Sequence, residues 1–467
     1  MKKRTKIVCT IGPASEHAST LASMMKAGMD AARLNFSHGT YKQHAKSYRT
    51  IRSVANKLGR SLAIIGDLQG PKIRLGNLPE EGVMLRAHDE IQFSTAAIEF
   101  KKNVFPVTYG LLHKDVKAGE RLLIDDGLIE THILEVKGKT IRARVINGGN
   151  VTSHKGMNFP DSKLRVSAIT EKDRADVAFM VPLGVDWIVL SFVTNPTDVK
   201  TLRRLVKQAA KPGQILPRIM AKIEKHEAID RLHEILAVVD GAMIGRGDLG
   251  VEVPMEMVPI YQKEIIDMCR AMGKPVIVAT QMLESMRSNP KPTRAEVSDV
   301  ANAVFDHTDA VMLSAETATG SYPVQTVTMM AKIAEQAEQS PYDNVLPETG
   351  VDQEHINTLS ESIHLGHLQN EIDAVLVSLE LAPWSETIFQ AHPKIPFFVA
   401  CPKKEIAQQV VLRWGSIPFI HTNAQEKTFV ARSITALKKH HHIKKATRLA
   451  VVMGGSHGRG FDVVQVP

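Results

Sequence analysis

Two carboxylates, Glu224 and Asp248, and one lysine, Lys222, are the residues whose types and spacing point most directly to chemistry. Carboxylate oxygens are hard ligands, and Mg²⁺ takes one or two of them while substrate oxygens and water complete its octahedron. Lys222 stands two residues before Glu224, so on a strand both side chains share a face. A lysine beside a metal suits an anionic group in transfer, because phosphoryl transfer asks little covalent chemistry of a protein and much fixed positive charge. Arg33 supplies a second cation of the same kind. Taken alone, the Lys222-Ile223-Glu224 triplet is better accounted for by a structural ion pair inside a barrel. The assignment therefore depends on where the other polar residues fall.

They fall at strand ends. Short runs rich in β-branched and aliphatic residues alternate with longer amphipathic stretches, the pattern of a parallel sheet wrapped in helices. Eight such runs precede residue 320: Lys6 to Ile11, Ala31 to Phe36, Leu62 to Leu68, Trp187 to Phe192, Ile219 to Glu224, Ala242 to Gly245, Val276 to Thr280 and Ala310 to Ser314. Arg33, Asn35 and Ser37 lie at the end of the second and Asp67 at the end of the third. Lys222 and Glu224 end the fifth, Gly247 and Asp248 follow the sixth, Thr280 ends the seventh and Ser314 the eighth. Any one of these could merely cap the helix that follows. Together they predict an α/β fold, an eightfold (β/α) TIM barrel, with its chemistry on the rim where strands end.

Between the third and fourth runs lies a stretch punctuated by Gly and Asp, with alternation such as Thr140-Ile141-Arg142-Ala143-Arg144-Val145. It predicts an inserted, β-rich, barrel-like lid domain over 73–165, dividing a catalytic barrel into 1–72 and 166–340. After Pro341 strand candidates recur at Ala374 to Ser378, Phe397 to Ala400 and Leu449 to Met453. A third, α/β domain over 341–467 is expected there. The Gly-rich Gly454 to Gly460 reads either as a phosphate cradle of backbone N–H groups or as a plain terminal loop.

Composition narrows the class. With 467 residues, 43% hydrophobic and 23% charged, the chain reads as a multidomain soluble protein rather than a disordered one. Its net charge of +8 is compatible with nucleic acid, an anionic membrane or small anionic substrates. Aromatics amount to only 5%, too few for base-stacking platforms, and the basic residues are mostly interspersed with acids. The exception, Lys438 to Lys445, reads as a solvated helix end. Only Cys9, Cys269 and Cys401 are present, with no paired spacing, and no run reaches membrane-spanning length. A cytoplasmic enzyme with no membrane or nucleic-acid partner is the expectation.

The runs Cys9 to Ser15 (CTIGPAS), Ala32 to Gly39 (ARLNFSHG), Ile219 to Ile229 (IMAKIEKHEAI), Ile244 to Glu252 (IGRGDLGVE), Ala279 to Met286 (ATQMLESM) and Asp309 to Pro323 (DAVMLSAETATGSYP) resemble those of pyruvate kinases, in the same order. The likeness extends into the insertion at Leu122 to Gly127 and Lys155 to Pro160 and fades after Pro341. It implies phosphoryl transfer from phosphoenolpyruvate to ADP, giving pyruvate and ATP, with Mg²⁺ (or Mn²⁺) and a homotetramer. Position by position it implies that Lys222 stabilises the transferring phosphoryl group and that Glu224 and Asp248 hold the metal. Thr280 with the Gly247 and Asp248 backbone would bind the substrate carboxylate, and Arg33 its phosphate. Asn35, Arg74 and Lys155 would serve the nucleotide. Ser314 matches a residue on the proton route to the enolate carbon.

Many relatives hold K⁺ on Asn35, Ser37 and Asp67 together with a Thr just after that Asp. Here Leu68 replaces the Thr, and Lys72 stands where potassium-dependent members carry Glu. The expectation is that the Lys72 ammonium replaces the ion and K⁺ is not required; alternatively Lys72 simply faces solvent at the hinge of the insertion. Two other readings of the whole chain are a Mg-dependent barrel aldolase or lyase acting on pyruvate enolates, and a basic nucleic-acid-binding module. An aldol reaction needs fewer phosphate ligands than Arg33, Asn35, Arg74 and Lys155 provide, and has less use for a lid that keeps water out.

Overall fold

The computed structural model describes the chain apart from residues 1–2, 98, 345–357, 383–384, 386–387, 390–391, 393, 440–441 and 454–460. The Gly454 to Gly460 run and part of the Lys438 to Lys445 cluster thus lie outside the described residues. Parallel strands Lys6–Thr10, Ala31–Asn35, Ala63–Asp67, Trp187–Leu190, Arg218–Ile223, Gly241–Gly245, Val276–Ala279 and Ala310–Leu313 close into a barrel, the last pairing with the first. Each expected run falls within a residue or two of a strand.

Strand alternation sorts the barrel residues. Ile7, Cys9, Leu34, Ile64, Ile188, Ile219, Ile223 and Ile244 pack outward beneath the helices. Val8, Ala31, Ile65, Trp187, Val189, Met220, Met243, Ala279 and Met312 fill the interior. Several surrounding helices carry their own start signals: Thr40, Thr170, Asn195 and Thr293 each form a reciprocal capping box with the residue at the third helical position. The helical stretch expected over Ala228 to Leu236 is two short helices, His226–Asp230 and Leu232–Leu236, broken at Arg231.

After the third strand the chain leaves the barrel and builds a separate sheet. Its order is Met157–Asn158, Arg121–Ile124, Ile129–Lys137, Thr140–Asn147, Glu90–Ser94 and Val104–Pro106. It has its own core, including Leu75, Phe93, Phe105, Leu122, Ile141 and Phe159. The C-terminal unit is a sheet of Ser416–Ile420, Phe397–Cys401, Ala374–Ser378 and Arg448–Val452, with Asp462–Gln465 antiparallel at one edge. The strand Ser416–Ile420, interrupted by Pro418, is not among those expected from sequence.

This last unit closes the end of the barrel opposite the polar rim. Val411 and Leu412 complete the interior apolar cluster. The Trp187 indole N–H donates to the Gln409 carbonyl at 3.1 Å, and Lys6 Nζ to the Ser416 carbonyl at 2.7 Å. One mouth of the barrel is therefore plugged, and the other remains for substrate.

Candidate active site

The interior face of the barrel changes character along its axis. Continuing each inward-facing series by two residues leads from Val8 to Thr10, Ala31 to Arg33, Ile65 to Asp67, Val189 to Ser191, Met220 to Lys222 and Met312 to Ser314. An apolar floor is thus overlaid by a polar layer, and the period of two in a strand decides which side chains join it. Side chains of that layer bond one another. Arg33 Nε donates to Asp67 Oδ2 at 2.7 Å and its Nη1 to Thr10 Oγ1 at 3.1 Å. Ser191 Oγ donates to Asp67 Oδ1 at 3.3 Å. Arg33 is held with its side chain only 10% exposed, so its charge acts in a medium that screens weakly.

Within this layer the Lys222 ammonium lies against Glu224 Oε1. Glu224 is wholly buried, and its Oε2 accepts the Phe192 backbone N–H at 2.9 Å. Burial pushes the Glu224 carboxyl up to about 7, against the pull of Lys222. Burial works on Lys222 in the opposite sense, but Glu224, Asp67 and Asp248 outweigh it and hold the ammonium protonated well above the ordinary lysine range. Asp248 is likewise opposed by burial, yet Lys222 and Lys72 keep it below the usual carboxylate range. A β-carbon on Gly245 would stand 2.6 Å from Glu224 Cγ, so the sixth strand must present glycine where the fifth presents this carboxylate.

Asp248 opens the short helix Arg246–Glu252, which starts directly from the sixth strand. Two features tie the start of this helix to the seventh strand. Gly247 N–H donates to Thr280 Oγ1 at 2.9 Å, and Arg246 Nη2 to the Thr280 carbonyl at 2.8 Å. Arg246 is itself clamped by Asp299, both of its terminal nitrogens lying 2.7 Å from carboxylate oxygens. Thr280 has φ 71°, a left-handed conformation costly for a β-branched residue. Strain of this kind is held at sites where a side chain must be aimed. Ser314 N–H donates to Oε2 of the buried Glu316 at 2.6 Å, at the end of the eighth strand.

The remaining expected residues divide. Asn35 Oδ1 accepts the Ser37 N–H at 3.1 Å, a local turn at the end of the second strand. Leu68 is 1% exposed and offers no side-chain oxygen. Lys72 does not simply face solvent: its Nζ lies 3.4 Å from Asp248 Oδ1 and 3.9 Å from Asp126 Oδ1 of the inserted unit. Arg74 and Lys155 lie on adjoining segments of that unit, where Arg74 bridges Gly156, the residue after Lys155. Their polar partners there are the His154 carbonyl and Asp125. Neither joins the barrel layer. Thr10, Ser191 and Asp126 went unnoticed in sequence, although the parity of their strands marks the first two and the Leu122 to Gly127 run contains the third.

A divalent cation fits this arrangement. Among the described residues no three His, Cys, Asp or Glu side chains form a closed cage. Two carboxylates with substrate oxygens are nevertheless the set Mg²⁺ uses. Glu224 Oε1 is buried with the Lys222 ammonium as its partner, and a carboxylate oxygen has two lone pairs, so one remains for a metal.

Known proteins resemble this chain in sequence and fold. The family model for the pyruvate kinase barrel domain matches residues 2–327. A pyruvate kinase of Staphylococcus haemolyticus is 42% identical over 424 residues, covering 90% of this chain and 72% of that protein. Pyruvate kinase 2 of Synechocystis is 39% identical over 467 residues, 98% of this chain and 78% of its relative. The crystal structure of a pyruvate kinase from Cryptosporidium parvum superposes with a TM-score of 0.91 at 31% identity, over 100% of this chain and 96% of the other. By family model, by sequence and by fold, the chain belongs to the pyruvate kinase family.

Proposed function

We propose that the enzyme transfers the phosphoryl group of phosphoenolpyruvate to ADP at the rim formed by Arg33, Lys222, Glu224, Asp248, Thr280 and Ser314. The observation that carries this is the buried Lys222 ammonium, fixed in charge by Glu224, Asp67 and Asp248 at the mouth of the barrel. Lys222 and Arg33 are pre-paid positive charges, already desolvated and oriented, for the oxygens of the group in flight. Glu224 and Asp248 would hold the metal, Mg²⁺ or Mn²⁺. When bound there it supplies further positive charge to the phosphoryl and carboxylate oxygens. The Asp248 backbone N–H receives the substrate carboxylate, together with the Gly247 N–H and the Thr280 hydroxyl, which exchange their present hydrogen bonds for it. As the P–O bond to the enol oxygen breaks and one to an ADP oxygen forms, the enolate left behind takes a proton at its methylene carbon. In this reading the Thr280 and Ser314 hydroxyls pass it through bound water.

Asn35, Arg74 and Lys155 bind the nucleotide, the last two from the lid. We divide the chain accordingly into a barrel of 1–72 and 166–340, a lid of 73–165 and a C-terminal regulatory and assembly domain of 341–467. The monovalent-cation region of Asn35, Ser37, Asp67, Leu68 and Lys72 works without K⁺, the Lys72 ammonium standing beside Asp248 in its place. The enzyme acts in the cytoplasm, with three buried thiols suited to reducing surroundings. It assembles as a homotetramer: Val297, Ala301, Phe305, Ile333 and Ala337 line an apolar groove of about 370 Å³ between two barrel helices, a face that self-association covers. A coupled assay of pyruvate formation from phosphoenolpyruvate and ADP, with and without Mg²⁺, tests the reading. Turnover that is indifferent to Mg²⁺ or to ADP overturns it.

A further inference from the structure

Glu252 closes the seven-residue helix whose first turn carries Asp248. Its side chain is 1% exposed, and both of its oxygens are engaged by groups from other parts of the molecule. Asn158 Nδ2 donates to Oε1 at 3.0 Å, and Lys225 Nζ to Oε2 at 3.3 Å. Each partner leads somewhere specific. Asn158 ends the lid strand Met157–Asn158, which pairs with Leu123 and Ile124 just before Asp125, the partner of Lys155. Lys225 is the residue immediately after Glu224. One carboxylate thus joins the lid, the end of the fifth strand and the helix of the sixth, and two of those three carry the proposed metal ligands.

A buried ion pair gives little net stability, since desolvation offsets its attraction. What it does supply is a fixed geometry. Asp248 and Glu252 are four residues apart, on one face of a helix, so displacing one turns the other. The bridge also borders a cleft of about 340 Å³ between lid and barrel, lined by Lys72, Asn158, Phe192, Lys225 and Glu252 among others. Open space on that side means that packing alone does not set the angle of the lid. Among the described residues, Lys72 with Asp126 and Asp248 is a further polar tie between lid and barrel at the same hinge.

We infer that Glu252 is a positioning residue for phosphoryl transfer: through Asn158 and Lys225 it sets the angle of the lid against the two metal-binding carboxylates. This rests on the proposed site. Asn158→Ala removes the lid arm alone. Glu252→Gln keeps an acceptor for Asn158 and removes the charge facing Lys225. The expected result for Asn158→Ala is a fall in kcat of about tenfold with a KM for ADP raised about fivefold, KM for phosphoenolpyruvate within about twofold and an unchanged melting temperature, as a charge-assisted hydrogen bond of this kind permits. Glu252→Gln should instead weaken Mn²⁺ binding to the phosphoenolpyruvate-loaded enzyme, read by electron paramagnetic resonance, by about tenfold. The two changes combined should be less than additive in kcat. Wild-type ADP kinetics in Asn158→Ala together with wild-type Mn²⁺ affinity in Glu252→Gln overturns the inference. So does a loss that affects both substrates equally and follows a lowered melting temperature. If Lys222→Met is active as well, the site itself is wrong; if only the bridge variants are silent, the bridge alone is.

Discussion

Exchanging Lys72 for glutamate should make this enzyme depend on potassium. Lys72 Nζ lies 3.4 Å from Asp248 Oδ1, with side chains 26% and 21% exposed. At an effective dielectric of ~20 that contact is worth roughly 5 kcal/mol before solvation is counted. Water returns much of this when the ammonium is removed, leaving about 1.5–3 kcal/mol for a charge-assisted contact. Lys72→Met should therefore lower kcat by about one to two orders of magnitude in a buffer whose only monovalent cation is tetramethylammonium. Lys72→Glu replaces attraction by repulsion beside the same carboxylate and should lose about a further tenfold. Added K⁺ at constant ionic strength should restore part of the activity of Lys72→Glu, and more of it when Leu68→Thr supplies a hydroxyl where Leu68 now lies 1% exposed. The contact of Lys72 with Asp126, at 3.9 Å and with that carboxylate 71% exposed, contributes little and does not alter the estimate. The assay is pyruvate formation coupled to a dehydrogenase that is itself indifferent to K⁺. Strong activation of the unmodified enzyme by K⁺, or wild-type turnover of Lys72→Glu without it, refutes the argument.

Other consequences follow from the same geometry. Lys222→Met should cost about three orders of magnitude in kcat or more, roughly 4 kcal/mol, with the melting temperature unchanged, because it removes a preorganised charge from the rim and leaves the apolar floor alone; near-normal turnover of the folded variant contradicts the site. Gly245→Ala places a methyl group 2.6 Å from Glu224 Cγ, so Glu224 must move and the Mg²⁺ concentration for half-activation should rise about tenfold or more; an unchanged Mg²⁺ titration shows that the carboxylate is not held where it is needed. Lys6, at the junction with the C-terminal domain, is lowered to about 8, chiefly by burial. A folded-state pKa below the unfolded value means that stability is gained as pH rises from 8 towards 10.5 and lost as it falls through 8. Relative to Lys6→Met, wild-type stability in denaturant titrations should thus improve by up to ~3 kcal/mol between pH 7 and 10.5; a flat difference over that window disproves the burial of a charged Lys6.

Much of this enzyme was legible before any fold was considered. Alternation of β-branched runs with amphipathic stretches marks the barrel because strand and helix periods of 2 and 3.6 must each bury one face. Parity along a strand is local as well, so the step from Met220 to Lys222 to Glu224 already places both polar side chains on the inner face of the fifth strand. Gly245 belongs with these: it stands in the sequence, although only its neighbour explains it.

Tertiary structure alone decided which of those local choices meet. Asp67 and Ser191 are separated by the whole inserted domain and share a hydrogen bond because the third and fourth strands pair across it, while Arg33 reaches Asp67 from the neighbouring second strand. Lys72 reads equally as a solvent-facing hinge lysine until the chain turns back and brings Asp248 within 3.4 Å of it. The Asn158–Glu252 bond joins residues 94 positions apart, and no periodicity announces it. Val411 and Leu412 look like ordinary core residues of the last domain, yet they complete the floor of the barrel. Local pattern is set by what each residue does to its own backbone and face. Contacts across a closed barrel are set by closure, which ties the first strand to the eighth and leaves no trace in either segment alone.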